Sequence, residues 1–319
     1  MTEVLAGVDL GGTSVKVALA NHDGVLLCDE SFSTDGHLGA SDVIERIGSL
    51  LAQLAKQHGV SIKAVGMGVP GLVDIDNGVT KFLPNLPGQW RDVPVAEQLR
   101  GLLACSVRVA NDARTATLGE LQFGHGRHRP DATLAFFTLG TGVGGGVVVQ
   151  GQLRLGPLGA AGELGHQTIL PDGPRCGCGN RGCLETLASG LAIASEGIRL
   201  MKSGLAPHLH ALVDGDASRV TVAEMTQVIK QDNSIHEAIT AASTYIGIAA
   251  ANVVTILHPD LIVLGGGVAE IGDLLIETVK RVIDERVRMF PTSNVQVMKS
   301  ELGVKAGVMG AVALAMDAL

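Results

Sequence analysis

The sequence carries no surplus of positive charge: 24 Lys and Arg stand against 32 Asp and Glu, a formal net charge of −8 at pH 7. A nucleic-acid partner would want a basic face, so that class is set aside. The N-terminus lacks the basic start of a secretory leader and has Glu3 and Asp9 instead. No G-x-x-x-x-G-K-[ST] occurs, which excludes a P-loop nucleotide site. Charge is sparse altogether, 18% of residues against 46% hydrophobic, the balance of a folded chain. Its 319 residues leave room for two domains. One stretch, Ala238 to Pro259, has no formal charge at all. Thr240, Ser243, Thr244, Asn252 and Thr255 recur within it at near-helical spacing and predict a polar stripe. A helix buried in an α/β core is expected there, with no membrane span.

Cysteine is scarce too, yet three of the five fall within eight residues. Cys176, Cys178 and Cys183 form C-x-C-x4-C, with His166 ten residues upstream. Three thiolates and one imidazole suit tetrahedral Zn²⁺ and leave no open position, so the ion would be structural. Cysteines used this way fit a reducing cytoplasm. Glu163 and Glu185 bracket the ligands. Two carboxylates brought to one neighbourhood suit a polyhydroxylated ligand, because they accept hydrogen bonds from its hydroxyls.

Along the chain, Val4 to Val8, a glycine turn and Val15 to Ala20 predict a hairpin, with a third strand from Val25 to Phe32. Asp42 and Glu45 predict a capping box at the head of a helix that Gly59 stops. Ala64–Val69 and Ser106–Ala110 read as strands, Val95–Leu103 and Ala113–Phe123 as helices, and LPNLPGQW at 83–90 as a loop. Thr133–Leu139, the turn Gly140–Gly146 and Val147–Gln150 then repeat the first hairpin, as an internal duplication would. Helices near 187–202, 222–230 and 274–287 follow, with strands at 261–264 and 295–298 and a closing helix from about 305 to 319. Strands alternating with helices make this an α/β chain.

The glycine turns are the first stations for chemistry. Their backbone N–H groups can approach phosphate oxygens, and Thr13 and Thr141 add hydroxyls. Asp9 either stabilises its turn or serves as an outer-sphere partner for Mg²⁺ on a nucleotide. Asn111-Asp112 ends a strand and opens a helix. An N-cap is one reading of that pair. The other is a ligand site, since strand ends are where α/β folds bind ligands and a phosphoryl acceptor needs a carboxylate base.

Together these stations resemble the ROK family (repressors, open reading frames and sugar kinases), and its bacterial glucokinases in particular, over nearly the whole chain. The matching motifs are D-x-G-G-T at Asp9–Thr13, N-D at Asn111-Asp112 and L-G-T-G-V-G-G-G at Leu139–Gly146. E-x-G-H at Glu163–His166, C-x-C-G-x-x-G-C-x-E at Cys176–Glu185 and L-G-G-G at Leu264–Gly267 complete them. The resemblance implies an actin-like ATPase (ribonuclease H-like) fold of two α/β domains with a cleft between them. Residues 1–112 with about 305–319 would form one domain, and 113–304, with a zinc loop at 162–185, the other.

It also implies ATP-dependent phosphorylation of glucose at the 6-hydroxyl, with Asp112 as general base. Gly71, Asn85, Asn111, Glu163, His166 and Glu185 would bind the sugar, His166 also ligating zinc with Cys176, Cys178 and Cys183. Gly11, Gly12, Thr13, Thr141 and Gly142 would hold phosphates, and Gly265 and Gly266 the adenosine side. ATP, Mg²⁺ and structural Zn²⁺ are the implied cofactors, and a homodimer the implied assembly.

Kinases of N-acetylmannosamine, fructose or allose share the motifs. So do sugar-responsive repressors, but those carry a helix-turn-helix ahead of D-x-G-G-T, which here stands close to the N-terminus. Three departures stand out: Arg114 where many relatives have Asn, Ala110 where Glu is frequent, and a longer loop before Trp90.

Overall fold

The apolar run Val4–Val8 is the middle of a strand, Thr2–Leu10, that pairs antiparallel with Ser14–Ala20. Leu26–Ser33 extends this hairpin on one side. On the other, Val60–Val69 and then Ser106–Asn111 run parallel to the first strand. Val43, Ile44, Ile47, Leu51 and Leu54 of helix Ala40–His58 are buried in the core that also takes Val8, Leu10 and Met67 of the sheet. This helix begins at Ala40 behind Gly39, two residues before Asp42, so the expected Asp42–Glu45 capping box does not form. Asp42 lies inside the first turn and pairs with Arg46 at 3.8 Å. A capping box does form elsewhere, at Thr221–Glu224. Helix Ala306–Met316 packs on Thr2–Leu10, Val60–Val69 and helix Asp112–Gln122.

This computed structural model describes residues 1–157 and 159–318. Contacts divide the chain into a first unit of Met1–Pro130, Gly151–Gly162 and Val304–Leu319 and a second of Asp131–Gln150 and Glu163–Gly303. Helix Asp112–Gln122 belongs to the first unit, packed against the C-terminal helix. By contacts the C-terminal segment from Val304 groups with the first unit; Leu319, its expected end, lies outside the described residues.

The second unit repeats the plan. Leu134–Leu139 pairs antiparallel with Val143–Val149 and parallel with Leu261–Gly265, which is parallel in turn to Gln296–Lys299. Its core also takes helices Gly190–Lys202, Asn233–Leu257 and Asp273–Arg286. Asn233–Leu257 is long and apolar enough to cross a membrane by length and composition. Ile235, Ile239, Ile246, Ala250 and Val254 nonetheless lie fully buried in that core. Of the residues predicted to form a polar stripe, Ser243 is buried, Thr240 and Thr244 are half-buried, and Asn252 and Thr255 are exposed. Thr240, Ser243, Thr244 and Thr255 each donate to the carbonyl four residues back, which satisfies them within the helix.

Candidate active site

In the first unit, Asp9, Gly68 and Ala110 are register partners across three parallel strands. At about 4.8 Å per strand, Asp9 and the start of the Asn111-Asp112 pair emerge roughly 10 Å apart on one sheet edge. That edge is the C-terminal one, where α/β folds bind ligands. Asp9 faces Lys16 across the hairpin and lies against Gly307 at the head of the C-terminal helix. Burial, opposed by the Lys16 cation, holds its carboxyl above the usual range. A divalent cation nearby would favour its charged form.

The turn after Asp9 is closed by Gly11 N–H donating to Ser14 O at 2.9 Å. Sequence reasoning missed what fastens it. Thr34 is fully buried; its hydroxyl donates to Gly11 O at 2.7 Å and its N–H to Thr13 O at 3.0 Å. Thr13 itself stays exposed. Asn85 comes beside the turn, since a methyl group on Gly12 would lie 3.1 Å from the Asn85 carbonyl. The longer loop beyond Asn85 is pinned by Trp90, 3% exposed, whose carbonyl accepts from the Thr80 hydroxyl at 2.7 Å.

Asn111 is the N-cap of helix Asp112–Gln122, its Oδ1 accepting from the N–H groups of Ala113 and Arg114. Its Nδ2 donates to Gly71 O at 3.1 Å, which joins two of the expected sugar residues directly. Asp112 is the first helical residue, and its Oδ1 accepts from Ala113 N–H at 2.7 Å. Arg114 does not project its charge into solvent: it is 1% exposed.

In the second unit, Gly140 N–H donates to Gly142 O at 2.9 Å and closes the matching turn. Two helix heads fasten it: Glu185 Oε2 accepts Val143 N–H at 2.9 Å, and Gly190 N–H donates to Gly140 O at 2.7 Å. A methyl group at position 142 would displace the Glu185 carboxylate from the turn. Thr141 is exposed. Gly265 ends the strand Leu261–Gly265, and Gly266 turns the chain with φ +87°.

The ligand atoms of His166, Cys176, Cys178 and Cys183 all lie within 4.8 Å of one another. His166 Nδ1 is 3.6 Å from Cys176 Sγ, and the sulfurs of Cys178 and Cys183 are 3.8 Å apart. Bonds of about 2.3 Å to a tetrahedral zinc give sulfur–sulfur edges of roughly 3.8 Å, so the set fits. Burial, then the neighbouring thiols, push Cys183 up to about 12, and burial raises Cys176. The Asn180 N–H lowers Cys178. A cation bound at the set would hold these thiols as thiolates. His166 turns Nε2 the other way, 3.9 Å from Glu163 Oε2. Glu185 belongs to both features of the unit: its Oε1 is 4.0 Å from Cys176 Sγ while its Oε2 holds the glycine turn.

The chain is similar to known proteins. The sequence profile of the ROK family matches residues 5–318. A glucokinase of Thermotoga maritima is 33% identical over 317 residues, covering 97% of this chain and 96% of its own length. A putative xylose repressor of Caldicellulosiruptor is 31% identical over 98% of this chain and 77% of the repressor. Among solved structures, a ROK family glucokinase from Streptomyces griseus in complex with glucose and AMPPNP superimposes with a TM-score of 0.84, at 30% identity, covering 98% of this chain and 99% of that one. The fold is the actin-like ATPase fold of these sugar kinases, and the chain belongs to the ROK family.

Proposed function

We propose that the chain transfers the γ-phosphoryl group of ATP to the 6-hydroxyl of glucose, with Asp112 as general base. One observation carries the reading: Asp112 opens its helix at the same sheet edge as Asp9 and the Gly11–Ser14 turn. Next to it, Asn111 and Gly71 are joined by a hydrogen bond, and Asn85 stands beside Gly12. The second unit supplies Glu163, His166 and Glu185 for sugar hydroxyls and Thr141 with Gly142 for phosphate. Gly265 and Gly266 serve the adenosine side.

Asp112 accepts the hydroxyl proton as the sugar oxygen bonds to the γ-phosphorus and the bond from that phosphorus to ADP breaks. General-base help of this kind contributes roughly 10²–10⁴-fold. The remainder is alignment and charge neutralisation, which is what phosphoryl transfer asks of a protein. Asp9 would be the protein's partner for Mg²⁺ bound with ATP, which would supply charge neutralisation on the phosphates. The zinc set is structural and takes no part in the chemistry. The zinc set, which needs its cysteines reduced, supports a cytoplasmic setting.

The test is ADP release with Mg-ATP and glucose, mannose, fructose or N-acetylmannosamine, wild type beside Asp112→Asn. Turnover on glucose that falls by at least about 10²-fold in the variant, with sugar binding retained, is the expected result. Turnover retained in Asp112→Asn refutes the base assignment. Sugar binding without turnover in wild type moves the chain to the sugar-sensing members of the family.

A further inference from the structure

Arg114 is among the largest side chains buried in the protein, at 1% exposed. A guanidinium keeps its proton at any ordinary pH, so its burial depends on acceptors placed around it. Its Nη2 donates to the carbonyl of Ala160 at 2.9 Å and its Nη1 to Oδ1 of Asn111 at 3.2 Å. The same Oδ1 already accepts from the N–H groups of Ala113, at 3.0 Å, and Arg114, at 3.2 Å.

Counting donors and acceptors on Asn111 has a consequence for the ligand. An amide oxygen offers two lone pairs, and three donors converge on this one, so no acceptor capacity is left for a substrate. The amide nitrogen carries two N–H bonds. One donates to Gly71 O at 3.1 Å, and the other has no partner among the described residues. Arg114 also prevents the amide from turning over. A flipped Asn111 would set its NH₂ against Nη1 of the guanidinium and against the backbone N–H of Arg114, taking from both the acceptor they have now.

We propose that Arg114 is a positioning residue for the sugar site. It locks Asn111 so that the amide shows the substrate one N–H donor and no acceptor, and it ties down the chain at Ala160, three residues ahead of Glu163. The ligand group at Asn111 is then an oxygen recognised through its lone pair. This inference rests on the sugar-kinase reading above. Nothing in the local sequence announces it, since Arg114 and Ala160 are 46 residues apart.

The experiment compares wild type with Arg114→Lys and Arg114→Asn, using steady-state kinetics and calorimetric titration with glucose in the absence of nucleotide. Neither replacement can serve both acceptors with a planar fork. Glucose affinity and KM should weaken by about 10- to 100-fold, the weight of a hydrogen bond to a charged group, while kcat and the KM for ATP stay within about threefold. Unchanged glucose affinity in folded variants overturns the proposal.

Should neither variant fold, wild type alone decides, titrated with the monodeoxy glucoses and their deoxyfluoro counterparts. At one ring position the fluorine, which accepts but cannot donate, should restore binding that the deoxy sugar loses. Loss with both analogues at every position overturns the donor-only Asn111. A wild type that neither binds a hexose nor releases ADP refutes the kinase reading itself, and the assignment of Arg114 falls with it.

Discussion

The two glycine turns are built to one plan and held in opposite ways. In the first hairpin Leu10 pairs with Val15 and four residues turn the chain; in the second Leu139 pairs with Val143 and three do. One step back along each strand, the first hairpin sets Asp9 against Lys16, and the second sets Thr138 against Gly144. The first turn thus carries its charge in the strands and is fastened by a neutral group, the buried Thr34 hydroxyl. The second has neutral strands and is fastened by a charge, Glu185, brought in on a helix whose N-cap residue is Cys183. Two turns with similar sequences therefore differ in what can disturb them. The first depends on its sheet; the second depends on the metal set.

Removing the metal is the harshest way to break that comparison. Zinc ligand sets supply folding free energy, and the Glu163–Glu185 stretch contains nearly all of the polar network around this one. Chelation should loosen that stretch and raise the glucose KM by about 10- to 100-fold before the protein unfolds. Because Glu185 adjoins both Cys176 and Val143, the KM for ATP should rise as well. Hydrogen exchange would then show lost protection at Val143 and Gly190, with Gly11 and Thr13 unchanged. An unaltered glucose KM in metal-free protein refutes the coupling.

Glu185→Gln is the milder cut, since it keeps the shape and removes the charge. The bond from Val143 N–H to a carboxylate is worth about 1.5–3 kcal/mol, and a neutral amide about half of that. A loss of roughly 3- to 10-fold in kcat/KM for ATP is expected from the turn alone. Steady-state kinetics with ATP varied at saturating glucose reads it. If only the glucose parameters move, Glu185 serves the sugar and does not position the turn.

The hairpins and the metal set were legible in the sequence because each is local. Apolar runs around Gly-Gly-Thr and Gly-Thr-Gly report strands and turns within about a dozen residues, and C-x-C-x4-C brings three ligands together by spacing alone. The N-cap reading of Asn111 was legible for the same reason. The cap takes the oxygen of Asn111, and one amide N–H bonds Gly71 O. Fasteners were not legible. Thr34 reaches Gly11 across 23 residues and Glu185 reaches Val143 across 42, and no local pattern marks such partners. Arg114 stands in the sequence only as a departure from Asn, because a sequence shows charge but not burial. The Asp42–Glu45 pair had the spacing of a capping box, yet Gly39 started the helix earlier and took the position away.

Thr34→Val gives the smallest effect and sharpens the comparison most. Valine keeps the volume and the buried packing, but Gly11 O loses the hydroxyl that satisfied it. A buried acceptor left without a partner costs about 1–3 kcal/mol of stability. The Thr34 N–H to Thr13 O bond and the Gly11 N–H to Ser14 O bond do not involve the side chain, so the turn keeps its closure. The midpoint of urea unfolding should therefore fall while the KM for ATP stays within about twofold. Chelator treatment should not add to the effect at this turn, since the first unit contains none of the four metal ligands. A variant that loses ATP affinity as far as Glu185→Gln does would mean that the neutral fastener aligns its turn as strictly as the charged one, and the contrast between the two turns would then be one of chemistry without consequence for catalysis.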